Sequence, residues 1–217
     1  MVTRDVVFWE VDTQEDFMLP GGKLYVPGAE KLIPNLNRLV NAAREGRVFL
    51  ISDACEHTPD DPEFQRFLPH CVRGTPGAKI IPEGIADKVL RIPNDTRFPL
   101  PADFREYQQI VLEKQTLDVF DNPHTSTIVE RLGSRPEFVV FGVVTEYCVS
   151  CATLGLLQRN RRVAIVSDAI ETLDAAVGRR TLEEFTAKGA RLITTNQALG
   201  LLKEKKPDAN TPAGKSG

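Results

Sequence analysis

Apolar residues recur along the chain in two rhythms, and the two rhythms take turns. Residues 5–12 (DVVFWEVD) form an unbroken run of β-branched and aromatic side chains closed by an acid, the pattern of a strand buried on both faces. After the turn at Pro20-Gly21-Gly22, the residues Leu32, Ile33, Leu36, Leu39, Val40 and Ala43 fall at helical spacing within 29–45, and Gly46 stops that helix. Short apolar runs at 47–52, 137–143, 162–167 and 191–194 predict further strands, with 107–113 and 89–92 as two more candidates. Helix-period stretches occupy 149–159, 178–188 and 196–205.

Strands that alternate with helices predict an α/β fold in which a mostly parallel sheet of about six strands lies between two helical layers, a three-layer αβα arrangement of Rossmann-like kind. The expected organisation is one domain over 1–202. Within it, residues 53–82 form a loop-rich insertion, because Pro59, Pro62, Pro69, Pro76 and Pro82 break any long element there. Residues 203–217 (KEKKPDANTPAGKSG) are polar and rich in breakers, so a flexible tail is expected.

With 217 residues, 41% hydrophobic and 26% charged, the chain can bury one substantial core. No apolar run is long enough to span a bilayer, so no membrane association is expected. A formal net charge of −3 with scattered Lys and Arg gives no basic face for a polyanion, which argues against nucleic acid as a partner. The start of the chain lacks the marks of a signal peptide, and four unevenly spaced cysteines do not make a disulfide framework. A reduced, cytoplasmic setting with at least one usable thiol is therefore expected.

In an open parallel sheet, ligands collect beyond the carboxyl ends of the strands. Three polar residues are placed there by the predicted elements: Asp12, Lys114, and Cys148 at the end of the turn 144–148 that opens into a helix. A cysteine at a helix N-terminus meets N–H groups and a dipole that favour the thiolate, and the same N–H groups can hold an oxyanion. Taken singly, Cys148 reads equally as a small buried hydrophobe, Asp12 as a loop cap and Lys114 as an exposed charge. Together they make an acyl-transfer set, in which a lysine supports the thiolate and a carboxylate moves the proton.

Three stretches, Val11-Asp12-Thr13-Gln14-Glu15-Asp16-Phe17, Glu113-Lys114 and Gly142-Val143-Val144-Thr145-Glu146-Tyr147-Cys148-Val149, resemble in order and spacing the signatures of the isochorismatase-like cysteine hydrolases. The resemblance implies Asp12 as general base and acid, Lys114 as the activating charge and Cys148 as nucleophile. It also implies a cis peptide between Val143 and Val144, with the amides of Val144 and Cys148 as the oxyanion hole. The segment from Leu68 to Ala78 (LPHCVRGTPGA) resembles that of nicotinamidases, where its histidine binds a divalent metal. By that likeness Asp53, His57, Glu63 and His70 are the expected ligands. Nicotinamidases carry Asp-x-His where this chain has Asp53-Ala54-Cys55, and His57 is favoured over Cys55. Zinc is the expected metal, with iron or manganese compatible and a thiolate at Cys55 tilting the choice to zinc; no organic cofactor is implied.

Phe17 and Phe67 fall where the family places aromatic walls, although either could equally be core packing. Cys71 and Cys151 read as packing residues. The activity implied is hydrolysis of nicotinamide to nicotinate and ammonia through a thioester. The alternative is a metal-independent amidase of the same family acting on another small amide, carbamoyl or ureido compound. Vinyl-ether hydrolysis, and a silent binding module, fit less well. A small-molecule amide is thus the expected partner, and homo-oligomers are expected from the resemblance.

Overall fold

Alternate residues of the first strand serve opposite faces of one sheet: Val6 and Phe8 pack into one hydrophobic cluster, Val7, Trp9 and Val11 into the other. This period of two, with both faces apolar, is what a strand at the centre of a parallel sheet requires. The computed structural model describes residues 5–202. The tail expected at 203–217, and the far end of the helix expected at 196–205, lie outside the described residues.

Seven strands form the sheet: β1 (Val6–Val11), β2 (Phe49–Cys55), β3 (Val89–Ile92), β4 (Gln109–Lys114), β5 (Glu137–Gly142), β6 (Arg162–Ile170) and β7 (Arg191–Ile193). Their order is β3-β4-β2-β1-β5-β6-β7 and every pairing is parallel. The expectation of about six mostly parallel strands is therefore refined to seven in a wholly parallel sheet. The helices are α1 (Glu15–Met18), α2 (Ile33–Arg44), α3 (Thr125–Leu132), α4 (Cys148–Gln158), α5 (Ala175–Ala187) and α6 (Thr195–Gly200). Leu36, Leu39 and Val40 of α2 and Ala198 of α6 join the cluster on one face. Ile128 and Val129 of α3, Val149, Ala152 and Leu156 of α4, and Phe185 of α5 join that on the other. The eight-residue α3 was not foreseen, because a segment so short presents barely two turns of periodicity.

Chain order explains where a site can form. From β1 the chain builds outward through β2 and then β4 with β3 on the edge, returns to pair β5 on the other side of β1, and builds outward again through β6 and β7. The crevice beyond the carboxyl ends of β1 and β5 lies at this reversal. Gly142 closes β5 at φ +117, and a Cβ there would lie 2.1 Å from the Val11 carbonyl oxygen. Only glycine lets β5 come this close to β1 just before the chain turns toward α4.

One acid is sealed inside the fold. Glu10 is fully buried, accepts from Ser52 Oγ at 2.7 Å, and lies beside Gln109, whose Nε2 donates to Ser52 Oγ at 2.7 Å and to the Gly84 carbonyl at 2.9 Å. Burial raises the Glu10 carboxyl from 4.5 to about 7, outweighing the hydrogen bonds from Ser52 and Thr13. A raised folded-state value means that the fold favours the protonated acid. Its contribution is fully present below pH 4.5 and is lost as the pH rises through about 7, on the order of 3 kcal/mol in all. Glu10→Gln is expected to remove this dependence, so that variant and wild type diverge in urea stability as the pH climbs from 5 to 8. A stability difference that stays constant across that range would show that Glu10 does not titrate this way.

Candidate active site and metal cluster

Asp12 follows β1 directly, in the left-handed region at φ 48. This uncommon conformation for a residue with a side chain marks a held, strained position at the strand end. Lys114 is the last residue of β4, and Cys148 is the first of α4. The three meet: Lys114 Nζ donates to Asp12 Oδ2 at 2.8 Å and to Cys148 Sγ at 3.5 Å. Lys114 is completely buried, so an ammonium sits in the interior with Asp12 as its ion-pair partner.

The electrostatics depart from the expectation of a resting thiolate. Burial, and then the Asp12 carboxylate, push the Cys148 thiol well above its ordinary value, and Lys114 only partly offsets them. Burial alone would pull the Lys114 ammonium down, but the Asp12 carboxylate holds it well above the usual lysine value. The resting arrangement is therefore a neutral thiol beside a lysine–carboxylate pair. The helix N-terminus does not overcome desolvation until a substrate gives the proton somewhere to go.

The Val143–Val144 peptide is cis. Around it, the Tyr147 and Val149 amides donate to the Val144 carbonyl at 3.0 and 3.2 Å, which shapes the turn into α4. The same turn is tied to the chain after β6. Thr145 donates through N and Oγ1 to the Glu171 carbonyl, and the Glu146 carboxylate accepts from Thr172 Oγ1 at 2.6 Å and from the Leu173 and Asp174 amides at 2.9 and 3.0 Å.

Cys148 lies in a small cleft, partly open to solvent. Phe17, Phe67, Tyr147, Val144 and Leu173 supply apolar walls, and both expected aromatics, Phe17 and Phe67, line it. Cys55, His70 and Glu63 also reach this cleft, and among the described residues no lysine or arginine lines it.

The expected metal ligands divide. His57 and His70 come together with Cys55, their donor atoms all lying within 4.8 Å of one another and all three residues buried. Of the expected set Asp53, His57, Glu63 and His70, the two histidines belong to this cluster, Glu63 lines the adjoining cleft, and Asp53 stands outside it. The reason is register. Asp53 pairs with Val11 inside the sheet, where its Oδ2 accepts from the Trp9 indole at 2.8 Å, and burial together with the Asp12 charge raises its carboxyl well above the usual range. Two residues farther on, β2 ends at Cys55, beside the site.

The cluster suits a divalent metal. His70 Nδ1 is 2.7 Å from the Leu68 carbonyl, which assigns the proton to Nδ1 and leaves the Nε2 lone pair free, and burial lowers the pKa of His70, favouring the neutral imidazole. His57 Nδ1 lies 3.1 Å from Asp61 Oδ2, and both its ring nitrogens are buried without a hydrogen-bond partner. An orphaned buried nitrogen among other donors is what a metal would satisfy.

The first motif carries more than Asp12. Gln14, fully buried, donates to the carbonyls of Cys55 and Ala78 and accepts from the Cys55 amide, each at 2.7 Å. Asp16 accepts from the Lys23 amide at 3.0 Å and the Cys71 amide at 2.7 Å, and Gly77 packs so tightly on its carboxylate that a Cβ would lie 2.2 Å away. Gln14 thus fixes the end of β2 and Asp16 fixes the loop that carries His70. These residues and Asp61 were missed as contributors to the site. The alternation of Asp12, Gln14 and Asp16 along the motif was the only signal available.

The chain matches the isochorismatase domain family over residues 8–92 and 99–197. It is similar to the nicotinamidase of Escherichia coli (strain K12), at 25% identity over 209 residues that cover 85% of this chain and 92% of that one. Among solved structures it is similar to the pyrazinamidase of Pyrococcus horikoshii in complex with zinc, with a TM-score of 0.70, 25% identity, and coverage of 88% of this chain and 99% of that one. The fold is shared with N-carbamoylsarcosine amidase from Thermoplasma acidophilum, at a TM-score of 0.69, 23% identity, and coverage of 88% and 97%. A domain match that runs through the sheet, the Asp12–Lys114–Cys148 group and the cysteine–histidine cluster makes this chain a member of the isochorismatase family of hydrolases.

Proposed function

We propose that the chain is an amidohydrolase that converts nicotinamide to nicotinate and ammonia, with Cys148 as nucleophile. The observation that carries this reading is a buried lysine shared between a carboxylate at 2.8 Å and a cysteine sulfur at 3.5 Å, beside a small apolar cleft. The reading also draws support from the similarity to an Escherichia coli nicotinamidase and to a zinc-bound pyrazinamidase.

As Cys148 attacks the carboxamide carbon, its proton passes to Asp12, and Lys114 balances the charge that appears on sulfur. The amides of Val144 and Cys148 receive the developing oxyanion. Collapse of the tetrahedral adduct expels ammonia, which takes the proton back from Asp12 and leaves a thioester on Cys148. Water then gives a proton to Asp12 and attacks the thioester, nicotinate departs, and the proton returns to the thiol. Cys55, His57 and His70 would hold a divalent metal, which when bound supplies a Lewis-acid contact for the ring nitrogen. Phe17 and Phe67 sandwich an uncharged ring in place.

The walls of the cleft favour a neutral substrate. Among the described residues its lining is mostly apolar and carries the acid Glu63, which disfavours a second carboxylate there. This favours a neutral amide over a carbamoyl amino acid or an acidic vinyl ether as the natural substrate. The metal-independent amidase remains the rival reading, with an uncharged amide as its substrate. The test is ammonia release from nicotinamide compared with that from pyrazinamide and an N-carbamoyl amino acid. Release from the two ring amides, and little from the carbamoyl acid, is expected. A preference for the carbamoyl acid would overturn the assignment.

A further inference from the structure

We infer that Cys55 is a metal ligand, so that this chain would hold its divalent metal through one thiolate and two imidazoles, with Asp61 fixing His57. Only the use of that metal to hold a substrate ring rests on the nicotinamidase reading; the donor set stands on geometry alone.

Each donor is held in place from behind. The Cys55 backbone is pinned through its N–H and its carbonyl to the side chain of Gln14 at 2.7 Å, which fixes where the sulfur projects. His70 is oriented by the contact of its Nδ1 with the Leu68 carbonyl at 2.7 Å. Asp61 Oδ2 lies 3.1 Å from His57 Nδ1, and the same carboxylate is itself anchored, because its Oδ1 accepts from the Glu63 amide at 2.9 Å. Carboxylate–imidazole–metal chains of this kind set the tautomer and the aim of a ligating histidine. Both ring nitrogens of His57 are buried without a hydrogen-bond partner, in a group whose donor atoms lie within 4.8 Å of one another, so a nitrogen is left over for a metal whichever one faces Asp61.

Asp53 is not part of this group of donor atoms, and its Oδ2 accepts from the Trp9 indole at 2.8 Å. Cys55 and His70 both line the cleft, so a metal held by these residues would stand beside the substrate. On binding, the Cys55 S–H bond is exchanged for a sulfur–metal bond and the proton is released. No oxidation or reduction takes place. A sulfur donor shifts preference from the hard ions toward zinc and cobalt. Cys55 Sγ also lies 3.2 Å from Lys114 Nζ, so the metal ligand and the nucleophile share one ammonium.

The test is optical and does not depend on turnover. Full-length protein stripped with a chelator and reloaded with Co2+ is expected to bind one equivalent and to show the intense near-ultraviolet absorption of a sulfur-to-cobalt charge transfer. Cys55→Asp is expected to bind cobalt without that absorption, whereas Cys148→Ala and Asp53→Asn keep it. Stoichiometric cobalt without the absorption in the unmodified chain would overturn the proposal. So would no binding at all, or loss of the absorption in Cys148→Ala with retention in Cys55→Asp. The first of these measurements uses the native sequence, so it does not require any variant to fold. A protein that shows the absorption and yet leaves nicotinamide untouched would fail the functional reading while upholding the ligand set.

Discussion

Cys148→Ala is expected to lower kcat for ammonia release from nicotinamide by on the order of 10⁴ to 10⁶-fold, the usual scale for removal of a nucleophile from a group that works as a unit. The fold should tolerate the change. Cys148 is a small buried residue at the first position of α4, and alanine removes a single sulfur atom from that place. The Asp12–Lys114 pair keeps its 2.8 Å contact without it. A loss of activity with urea stability within about 1.5 kcal/mol of wild type would therefore be chemical rather than structural. The same experiment can capture the intermediate, because a thioester on Cys148 adds the nicotinoyl mass to the intact wild-type chain and to no Cys148→Ala chain. Turnover by the variant within tenfold of wild type would remove Cys148 from the mechanism.

Lys114→Met is expected to destabilise the protein by about 3–5 kcal/mol, as removal of one partner from a buried ion pair does. Methionine keeps an unbranched apolar stem one atom shorter and takes away the ammonium with its N–H donors, so packing is a minor part of the effect. The loss is large because Asp12 would remain nearly inaccessible without its cation, with the Asp53 carboxyl close by; Asp53 Oδ1 lies 3.9 Å from Lys114 Nζ in the native chain. Against a total stability of ordinarily 5–15 kcal/mol this is a substantial fraction, and a fall in Tm of about 10 °C or more should follow. Combining it with Asp12→Asn should restore part of the stability and none of the activity, since the uncompensated carboxylate is gone while the catalytic group stays broken. Stability of Lys114→Met within about 1 kcal/mol of wild type would mean that the pair is solvated in solution. Catalysis would then need a different account of how the cysteine is activated.

These two residues illustrate how much could be read from the chain itself. Asp12, Lys114 and Cys148 each end or begin a strongly patterned element, and in a parallel sheet strand ends converge on one edge. Their meeting therefore follows from periodicity together with the rule that connections bring strands back in parallel. Strands β1, β2, β4, β5 and β6 are long apolar runs and were legible for the same reason, as was the proline-rich character of 53–82. The seven-strand count needed the short edge strands, which barely register as patterns.

The metal cluster lay beyond such reading. Asp53 and Cys55 stand two apart on β2, and the resemblance to nicotinamidases made the acid the expected ligand. Which of them reaches the crevice depends on where β2 stops relative to β1 and β4. That is a matter of register, set by Val11 pairing with Asp53 and by Cys55 pairing with Lys114. His57 and His70 are thirteen positions apart in an irregular loop, and hydrogen bonds from the first motif, through Gln14 and Asp16, bring that loop to the sheet. The state of the Cys148 thiol was likewise a tertiary outcome, because a helix N-terminus favours a thiolate locally while burial beside Asp12 opposes it. The sequence by itself determined the layers of the fold and the residues at the strand ends, because local periodicity and parallel connection dictate both. Tertiary structure alone brought Cys55, His57 and His70 together and set the surroundings of Cys148, because register, burial and long-range hydrogen bonds are properties of residues far apart in the chain.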